Sequence, residues 1–243
     1  MKAIVLAAGM GQRLGAGLPK ALYTFEGHRL IDYILKSLEL LNIEEIIVVG
    51  GYHFPLLQEH LKSQTQKVRL LENRDFSKGS IVTLSVARPF VTGEFFLFNS
   101  DHLYPVDLLK LALKNASGIM AICDEKRLLG DDDMKVQWDH LFRLQAISKK
   151  LPTYQGGYIG LTYCSAEASP IYWKAFDKLL VESHGNAVVE EILRALINTD
   201  TPPSVKLIDP FQWIEIDTPE DAELGKEKIR SGKVNLTSPF SNS

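Results

Sequence analysis

The apolar run Ala3-Ile4-Val5-Leu6-Ala7-Ala8 opens directly into Gly9-Met10-Gly11-Gln12-Arg13-Leu14-Gly15, followed by Leu18-Pro19-Lys20-Ala21-Leu22. A buried strand that ends in a glycine-rich turn, with an arginine and a lysine after it, suits a polyphosphate. Glycines let successive backbone N–H groups converge on an anion, because no Cβ blocks the approach. Arg13 can fork onto phosphate oxygens, while Lys20 offers a mobile point charge for charge that builds up in a transition state. Pro19 fixes the backbone before Lys20 and restricts Leu18 to extended conformations, so the lysine is expected on a stiff loop.

Spacing separates three kinds of phosphate loop. A dinucleotide fingerprint needs glycine at the sixth position from Gly9, where this chain has Leu14. It also needs an acid closing the second strand, and Ile46-Ile47-Val48-Val49 runs into Gly50-Gly51 instead. A P-loop needs Gly-Lys-Ser/Thr, against Pro19-Lys20-Ala21 here. Gly9-x-Gly11 alone reads as an ordinary strand-to-helix turn. From Leu6 to Lys20, however, the chain resembles the nucleotidyltransferase family that activates sugar phosphates and phosphorylated alcohols, whose opening is L-A-A-G-x-G-x-R-L followed by P-K. The resemblance implies a Rossmann-like α/β fold, with Leu6, Ala7, Ala8, Gly9, Gly11, Arg13 and Lys20 at the nucleotide.

At 243 residues and 45% hydrophobic content the chain can bury one substantial core. No window approaches a membrane span, and the chain opens on a strand with no basic leader or cleavage site, so a cytoplasmic protein is expected. A net charge of −3 from 27 basic and 30 acidic residues makes no electrostatic case for nucleic acid. Cys123 and Cys164 each sit inside an apolar run and read as buried small hydrophobes.

Strand-like and helix-like segments alternate from the start, which implies a mostly parallel sheet covered on both faces. Helical spacing over Leu30–Leu41 precedes a β-branched run at Glu45–Val49, a weaker helix at Phe54–Leu61 and a strand at Val68–Leu71. A helix is expected over Ser80–Ala87, then a buried strand, Glu94–Phe98, that delivers Asn99-Ser100-Asp101-His102 at the sheet edge where ligands collect. From about Gly118 strands dominate, at Ile119–Cys123, Met134–Trp138, Leu141–Ile147 and Gly157–Cys164. Helices return at Ser169–Val181 and Val188–Ile197, followed by strands at Val205–Ile208 and Trp213–Asp217. Thr218-Pro219-Glu220-Asp221 opens a last helix through a cap, a first-turn proline and two dipole-matched acids. One domain is expected over residues 1–230, with a nucleotide half to about 117 and an inserted substrate half from about 118. The polar tail, 231–243, is expected to fray.

Nucleotidyl transfer needs two polyanions held together and charge neutralised as it shifts, with no obligatory acid or base. Asp101 and Asp217 each follow a strand and match the family's metal-binding aspartates, which implies Mg2+; alone, each would read as a turn or cap residue. The resemblance also brings Asn73, Gly79 and Ser80 to the nucleotide. His102 is expected beside a catalytic acid, and Gly50-Gly51 is expected to admit the base or ribose.

The later half resembles a narrower branch, the cytidylyltransferases acting on phosphocholine, aminoalkylphosphonates and inositol phosphate. Asp133-Met134-Lys135-Val136, Ile147-Ser148-Lys149-Lys150-Leu151 and Gly157-Tyr158-Ile159-Gly160-Leu161 carry it. It implies that Lys150, with Lys135 second, meets the acceptor phosphate and that Tyr158 lies in the substrate site, whereas Lys149 reads as solvated. Gly157 stands where phosphocholine-type members often have a glutamate. Tyr154, Tyr158, Tyr163, Trp173 and Trp213 could form a cation cage or simply be core. Asp131, Asp132 and Asp133 read as a solvated turn.

The expected activity is a magnesium-dependent transfer from CTP to a small phosphorylated alcohol, phosphocholine-like slightly ahead of inositol phosphate, with release of pyrophosphate. The rivals are a sugar-1-phosphate nucleotidyltransferase using UTP, dTTP or GTP, and a non-catalytic nucleotide-binding module. The oligomeric state stays open, a homo-oligomer included.

Overall fold

The computed structural model describes residues 1–15, 17–62 and 68–236. The first strand, β1 (Lys2–Ala7), leads through the glycine-rich turn to a small hairpin, β2 (Thr24–Phe25) and β3 (His28–Arg29), and to helix α1 (Leu30–Glu39). Next come β4 (Glu45–Gly50), α2 (Phe54–Leu61), β5 (Val68–Glu72), α3 (Ser80–Ala87) and β6 (Phe95–Asn99). The two-residue β7 (His102–Leu103) precedes α4 (Val106–Leu113) and β8 (Ile119–Asp124). The later half adds β9 (Lys135–Trp138), β10 (Leu144–Ser148), β11 (Gly156–Cys164), α5 (Ser169–Glu182) and α6 (Glu190–Leu196). It closes with β12 (Ser204–Leu207), β13 (Ile214–Glu215) and α7 (Pro219–Arg230).

The main sheet runs β10-β9-β11-β6-β1-β4-β5, with β8 beside β11 and β12 beside β8. The β6-β1-β4-β5 block is parallel, whereas β11 runs antiparallel to its neighbours β6 and β8. This is the mixed, mostly parallel sheet expected of the fold. Register fixes the functional edge: Ala7 lies opposite Gly50, and Leu6 lies opposite both Val49 and Asn99. The glycine turn after β1 therefore emerges next to Ser100 and Asp101.

Because successive side chains of a strand point to opposite faces, β1 feeds two cores. Ile4 and Leu6 join the side that holds Ile81, Leu84, Tyr172, Trp173 and Leu193. Ala3, Val5 and Ala7 join Ile31, Leu35, Leu108 and Leu109 on the other. Cys123 and Cys164 are both free and buried. Among the described residues, no helix is long and apolar enough to cross a membrane.

Three departures from the sequence reading have local causes. Helix α4 was not anticipated, although Pro105 at its cap and Asp107 in its first turn support it. The strand expected from Leu141 starts only at Leu144, because Asp139 accepts the N–H groups of Leu141 and Arg143 and closes a turn around Phe142. The tail does not fray at Ser231: Gly232 takes φ +72° and the N–H groups of Gly232 and Lys233 bond to the carbonyls of Ile229 and Lys228. That C-terminal cap reverses the chain. Val234 and Leu236 then pack, 1% and 3% exposed, with Phe25, Leu30, Tyr33 and Ile214. Residues 237–243 lie outside the described part of the chain.

Leu236→Ala should therefore lower the unfolding free energy by about 2–5 kcal/mol, as for other buried leucines. Urea denaturation measures it, and a change below about 0.5 kcal/mol would mean that the tail does not dock.

Candidate active site at the sheet edge

The loop after β1 folds back on itself. Lys20 donates its backbone N–H to the Gly9 carbonyl, at 3.1 Å. Gly11 has φ +61°, and a Cβ there would lie 3.1 Å from the Cα and Cβ of Lys20, so only glycine fits. Lys20 itself starts a short 3-10 turn, Lys20–Leu22, capped by Pro19. Its ammonium meets Asp101 Oδ2 at 2.5 Å and also contacts Asp217 Oδ1. Arg13 donates to the other Asp217 oxygen at 2.8 Å and to Asp132 at 3.3 Å.

These residues surround a cavity of about 380 Å3. Of the residues singled out in the sequence, Leu6, Ala8, Gly9, Lys20, Ser80, Asp101, Tyr158 and Asp217 line it. Ala7 points into the opposite core by strand alternation. Arg13 reaches the cavity through its two carboxylate partners.

The chemistry of the walls is unusually acidic for a polyphosphate site. Asp101, Asp132, Asp133, Glu190, Glu215 and Asp217 face the cavity, against Lys20, Lys78 and Lys149. Most of the acids have cationic partners. Burial alone would favour a neutral Asp101, but the charges of His102 and Lys20 and their hydrogen bonds outweigh it and hold the carboxyl well below the usual range. His102 is buried as well, which disfavours its cation, yet Asp101 at 2.5 Å and Glu215 at 3.7 Å raise its pKa above the ordinary value. Gly160, at φ +74°, leaves room for this imidazole: a Cβ would sit 2.9 Å from Nε2. Glu190 differs. Burial pushes its carboxyl up, only partly offset by hydrogen bonds that include the Asn99 side chain, and no ion pair to it is seen among the described residues.

Several expected site residues are occupied elsewhere. The Asn73 amide donates to Thr83 Oγ1 at 3.0 Å and accepts from the Asp75 N–H at 2.9 Å, so both ends serve the fold. A Cβ on Gly79 would lie 2.0 Å from the Ala187 carbonyl oxygen, which makes this glycine a packing contact rather than an opening for the base. Ser80 lines the cavity, but its hydroxyl accepts from the Val189 N–H. Gly50 and Gly51 are backed by Leu57, Phe54, Phe76 and Ala8, leaving no space for a base.

In the later half, Lys135 is 7% exposed and donates to the carbonyls of Gly130 and Lys149 at 2.6 and 3.0 Å, clamping two loops together. The two adjacent lysines are both exposed but differ in their relation to the cavity. Lys150 is exposed and does not line the cavity, whereas Lys149 does, 3.8 Å from Asp132. Gly157 packs on Leu129. The aromatic cage does not assemble. Tyr158 lines the cavity and shares a hydrogen bond with Thr162, while Tyr163 bonds Glu94 and Trp173 sits in the core against Phe95. Tyr154 is exposed beside Lys135, and Trp213 stacks on His102. Lys78, from the turn before Ser80, and Asn99, at the end of β6, also line the cavity, whereas Glu190 and Glu215 carry no mark in their local sequence because tertiary packing alone brings them there.

Two carboxylates from the ends of different strands converge on one cation position, occupied by the Lys20 ammonium. Among the described residues no cluster of three or more His, Cys, Asp or Glu forms a ready-made cage. Hard oxygen donors in this small number fit a hydrated Mg2+ that takes its remaining ligands from water and phosphate.

Comparison with known proteins agrees with this geometry. A model described as a MobA-like NTP transferase domain matches residues 3–130. The chain is 27% identical over 232 residues to the bifunctional IPC transferase and DIPP synthase of Rubrobacter xylanophilus, covering 93% of this chain and 51% of that protein. It thus spans about half the length of that bifunctional relative. Against the CTP:phosphoglutamine cytidylyltransferase of Campylobacter jejuni it is 24% identical over 255 residues, covering 94% of this chain and 100% of the relative. The structure superposes on the inositol-1-phosphate CTP transferase from T. maritima with a TM-score of 0.78 at 25% identity, over 96% of this chain and 98% of that one. With the glycine turn, the Lys20–aspartate centre and a family match over more than half its length, this chain belongs to the MobA-like NTP transferase domain family.

Proposed function

We propose that this chain is a magnesium-dependent cytidylyltransferase that joins CTP to a small phosphorylated alcohol. The observation that carries the reading is the Lys20 ammonium held between Asp101 and Asp217 at the mouth of the glycine turn. The cytidylyltransferases among its relatives support the choice of CTP.

An oxygen of the acceptor phosphate attacks the α-phosphorus of CTP, the bond from that phosphorus to the bridging oxygen breaks, and pyrophosphate leaves with the electron pair. A Mg2+ bound by Asp101 and Asp217 would supply positive charge shared with the phosphates. Lys20, released from those carboxylates, would turn to the phosphate oxygens as charge moves onto the leaving group. Arg13 would fork onto the triphosphate. Lys149 would hold the acceptor phosphate in place of the Lys150 and Lys135 first expected. His102 keeps Asp101 ionised through its short contact. No side chain needs to carry a proton for the displacement itself.

The acceptor reading shifts from a choline-type cation toward a polyol phosphate such as inositol phosphate. The aromatic faces that would surround a quaternary ammonium are dispersed, whereas Glu190, which lines the cavity without an ion pair among the described residues, offers a hydrogen-bond partner for a hydroxyl. The structural likeness to an inositol-1-phosphate CTP transferase supports this. The soluble, cytoplasmic setting expected from the sequence belongs to the same proposal.

Pyrophosphate release measured across CTP, UTP, dTTP and GTP with a panel of phosphorylated alcohols and hexose 1-phosphates should favour CTP and inositol phosphate. Better turnover with UTP or dTTP and a hexose 1-phosphate would favour the sugar-nucleotide alternative. No release with any pair would favour the non-catalytic one.

Lys20→Ala should lower turnover by roughly 100-fold or more, as for loss of a preorganised charge donor, with the fold retained. Near-normal turnover in the folded variant would remove Lys20 from the mechanism. Glu190→Gln should raise the acceptor KM by about tenfold while leaving that for CTP within about twofold, the effect of weakening one charged hydrogen bond. Equal increases for both substrates would place Glu190 elsewhere in the reaction.

A further inference from the structure

Behind the reaction cavity lies a second one of about 560 Å3, and Trp213 and Glu215 form part of the wall of the second. Arg127 lines this outer cavity and not the reaction cavity. Its guanidinium carbon sits 4.5 Å from the centroid of the Trp213 ring. One arm reaches Glu215 Oε2 at 3.2 Å and another reaches Asp133 Oδ1 at 3.3 Å. Trp213 in turn stacks on His102, with 5.1 Å between centroids and 8° between planes. His102 meets Asp101 at 2.5 Å.

Local sequence explains how Arg127 comes to be there. Asp124 ends β8 and accepts the N–H groups of Lys126 and Arg127 at 2.8 and 3.1 Å, closing a turn. Its second oxygen accepts from Trp213 Nε1 at 3.1 Å. One buried aspartate therefore sets both the backbone of Arg127 and the edge of the ring it covers. The planar fork then ties the far end of its own loop, at Asp133, to the continuous stretch from Trp213 to Glu215 in β13. Lysine has neither the planar face nor the second arm.

We propose that Arg127 is a positioning residue for the transfer reaction. From outside the cavity it fixes Glu215, Asp133 and the Trp213–His102 stack, and through them the acceptor side of the site. This rests on reading the cavity as a cytidylyltransferase site. Asp133 is the direct link, because it lines the reaction cavity between Asp132 and Met134 and also accepts the Gly130 N–H at 2.6 Å. Loss of the fork frees the loop that carries Asp132 and Asp133. Among the described residues the turn after β1, which carries Gly9 and Lys20, makes no direct contact with Arg127 and meets the freed loop only through the Arg13–Asp132 pair, so the nucleotide side is disturbed less.

The test uses the full chain with Arg127→Met and Arg127→Lys, their folding checked by circular dichroism, and two readouts. The first does not depend on turnover: acrylamide quenching of tryptophan emission. Arg127→Met should make Trp213 more accessible than in the parent chain, with Arg127→Lys between the two; unchanged quenching overturns the proposal. The second is steady-state kinetics with CTP and inositol phosphate. Arg127→Met should raise the acceptor KM by about 10-fold to 100-fold, the scale of displaced positioning groups, and the CTP KM by clearly less. Arg127→Lys should recover only part of the loss. Equal increases in both KM values, no change, or full recovery by lysine would overturn the proposal. Absence of turnover in the parent chain would instead defeat the cytidylyltransferase reading, and the quenching result would still decide whether Arg127 holds the Trp213 wall.

Discussion

The Lys20 ammonium lies between two carboxylates that arrive from the middle of the chain and from its C-terminal part. That contact depends on everything that brings three strand ends to one edge. β1 must stop opposite Gly50 so that its turn can fold back over Gly9 and Gly11. β6 must run parallel beside it to present Asp101, and the short β13 must pair with β7 so that Asp217 follows at the same point. A positive φ at Gly11 and the close approach of Lys20 leave no room for another residue in that turn. Three charges in a partly enclosed site are tolerable only as a group, because an isolated ion there would lose its hydration without compensation.

The same argument explains why the walls carry more acid than base. In the structure each cation of the nucleotide side is held by a carboxylate: Lys20 by Asp101 and Asp217, and Arg13 by Asp217 and Asp132. These carboxylates occupy the directions from which phosphate oxygens would approach. Binding of a metal–triphosphate would exchange one set of ion pairs for another, the aspartates turning to the divalent cation and the basic side chains to the phosphates. Such an exchange leaves no charge unpaired, and it makes the affinity for nucleotide depend on the metal. On the acceptor side the corresponding partners are Lys149 with Asp132 and Arg127 with Asp133 and Glu215. Glu190 stands apart from this scheme, with no ion pair among the described residues.

Much of the fold was legible because β1, β4, β6 and β8 are long apolar runs and because the helices between them keep helical spacing. Gly11, Lys20, Asp101 and Asp217 could be read from motifs, since each sits at the end of an element whose course the pattern sets. Where a side chain is fixed by tertiary contact, the sequence was mute. Lys149 and Lys150 are adjacent past the end of β10, and beyond a strand alternation no longer says which one turns to the cavity. The resemblance implied Lys135 as a substrate ligand, but its ammonium is taken up by two backbone carbonyls from loops that only the fold brings together. Gly79 looked like an opening for the base and is instead a tight contact with Ala187. Arg127 gave no sign, because its partners Trp213 and Glu215 lie near it only in the folded chain.

The structure of the chain bound to CTP and Mg2+ tests the central claim most directly. The account predicts one metal ion shared by Asp101 and Asp217, with the Lys20 ammonium withdrawn from both carboxylates and bonded to phosphate oxygens of a nucleotide lying against the Gly9–Gly11 turn. A nucleotide bound while the Lys20–Asp101 and Lys20–Asp217 pairs stay intact, or bound in the outer cavity behind Trp213, would contradict it.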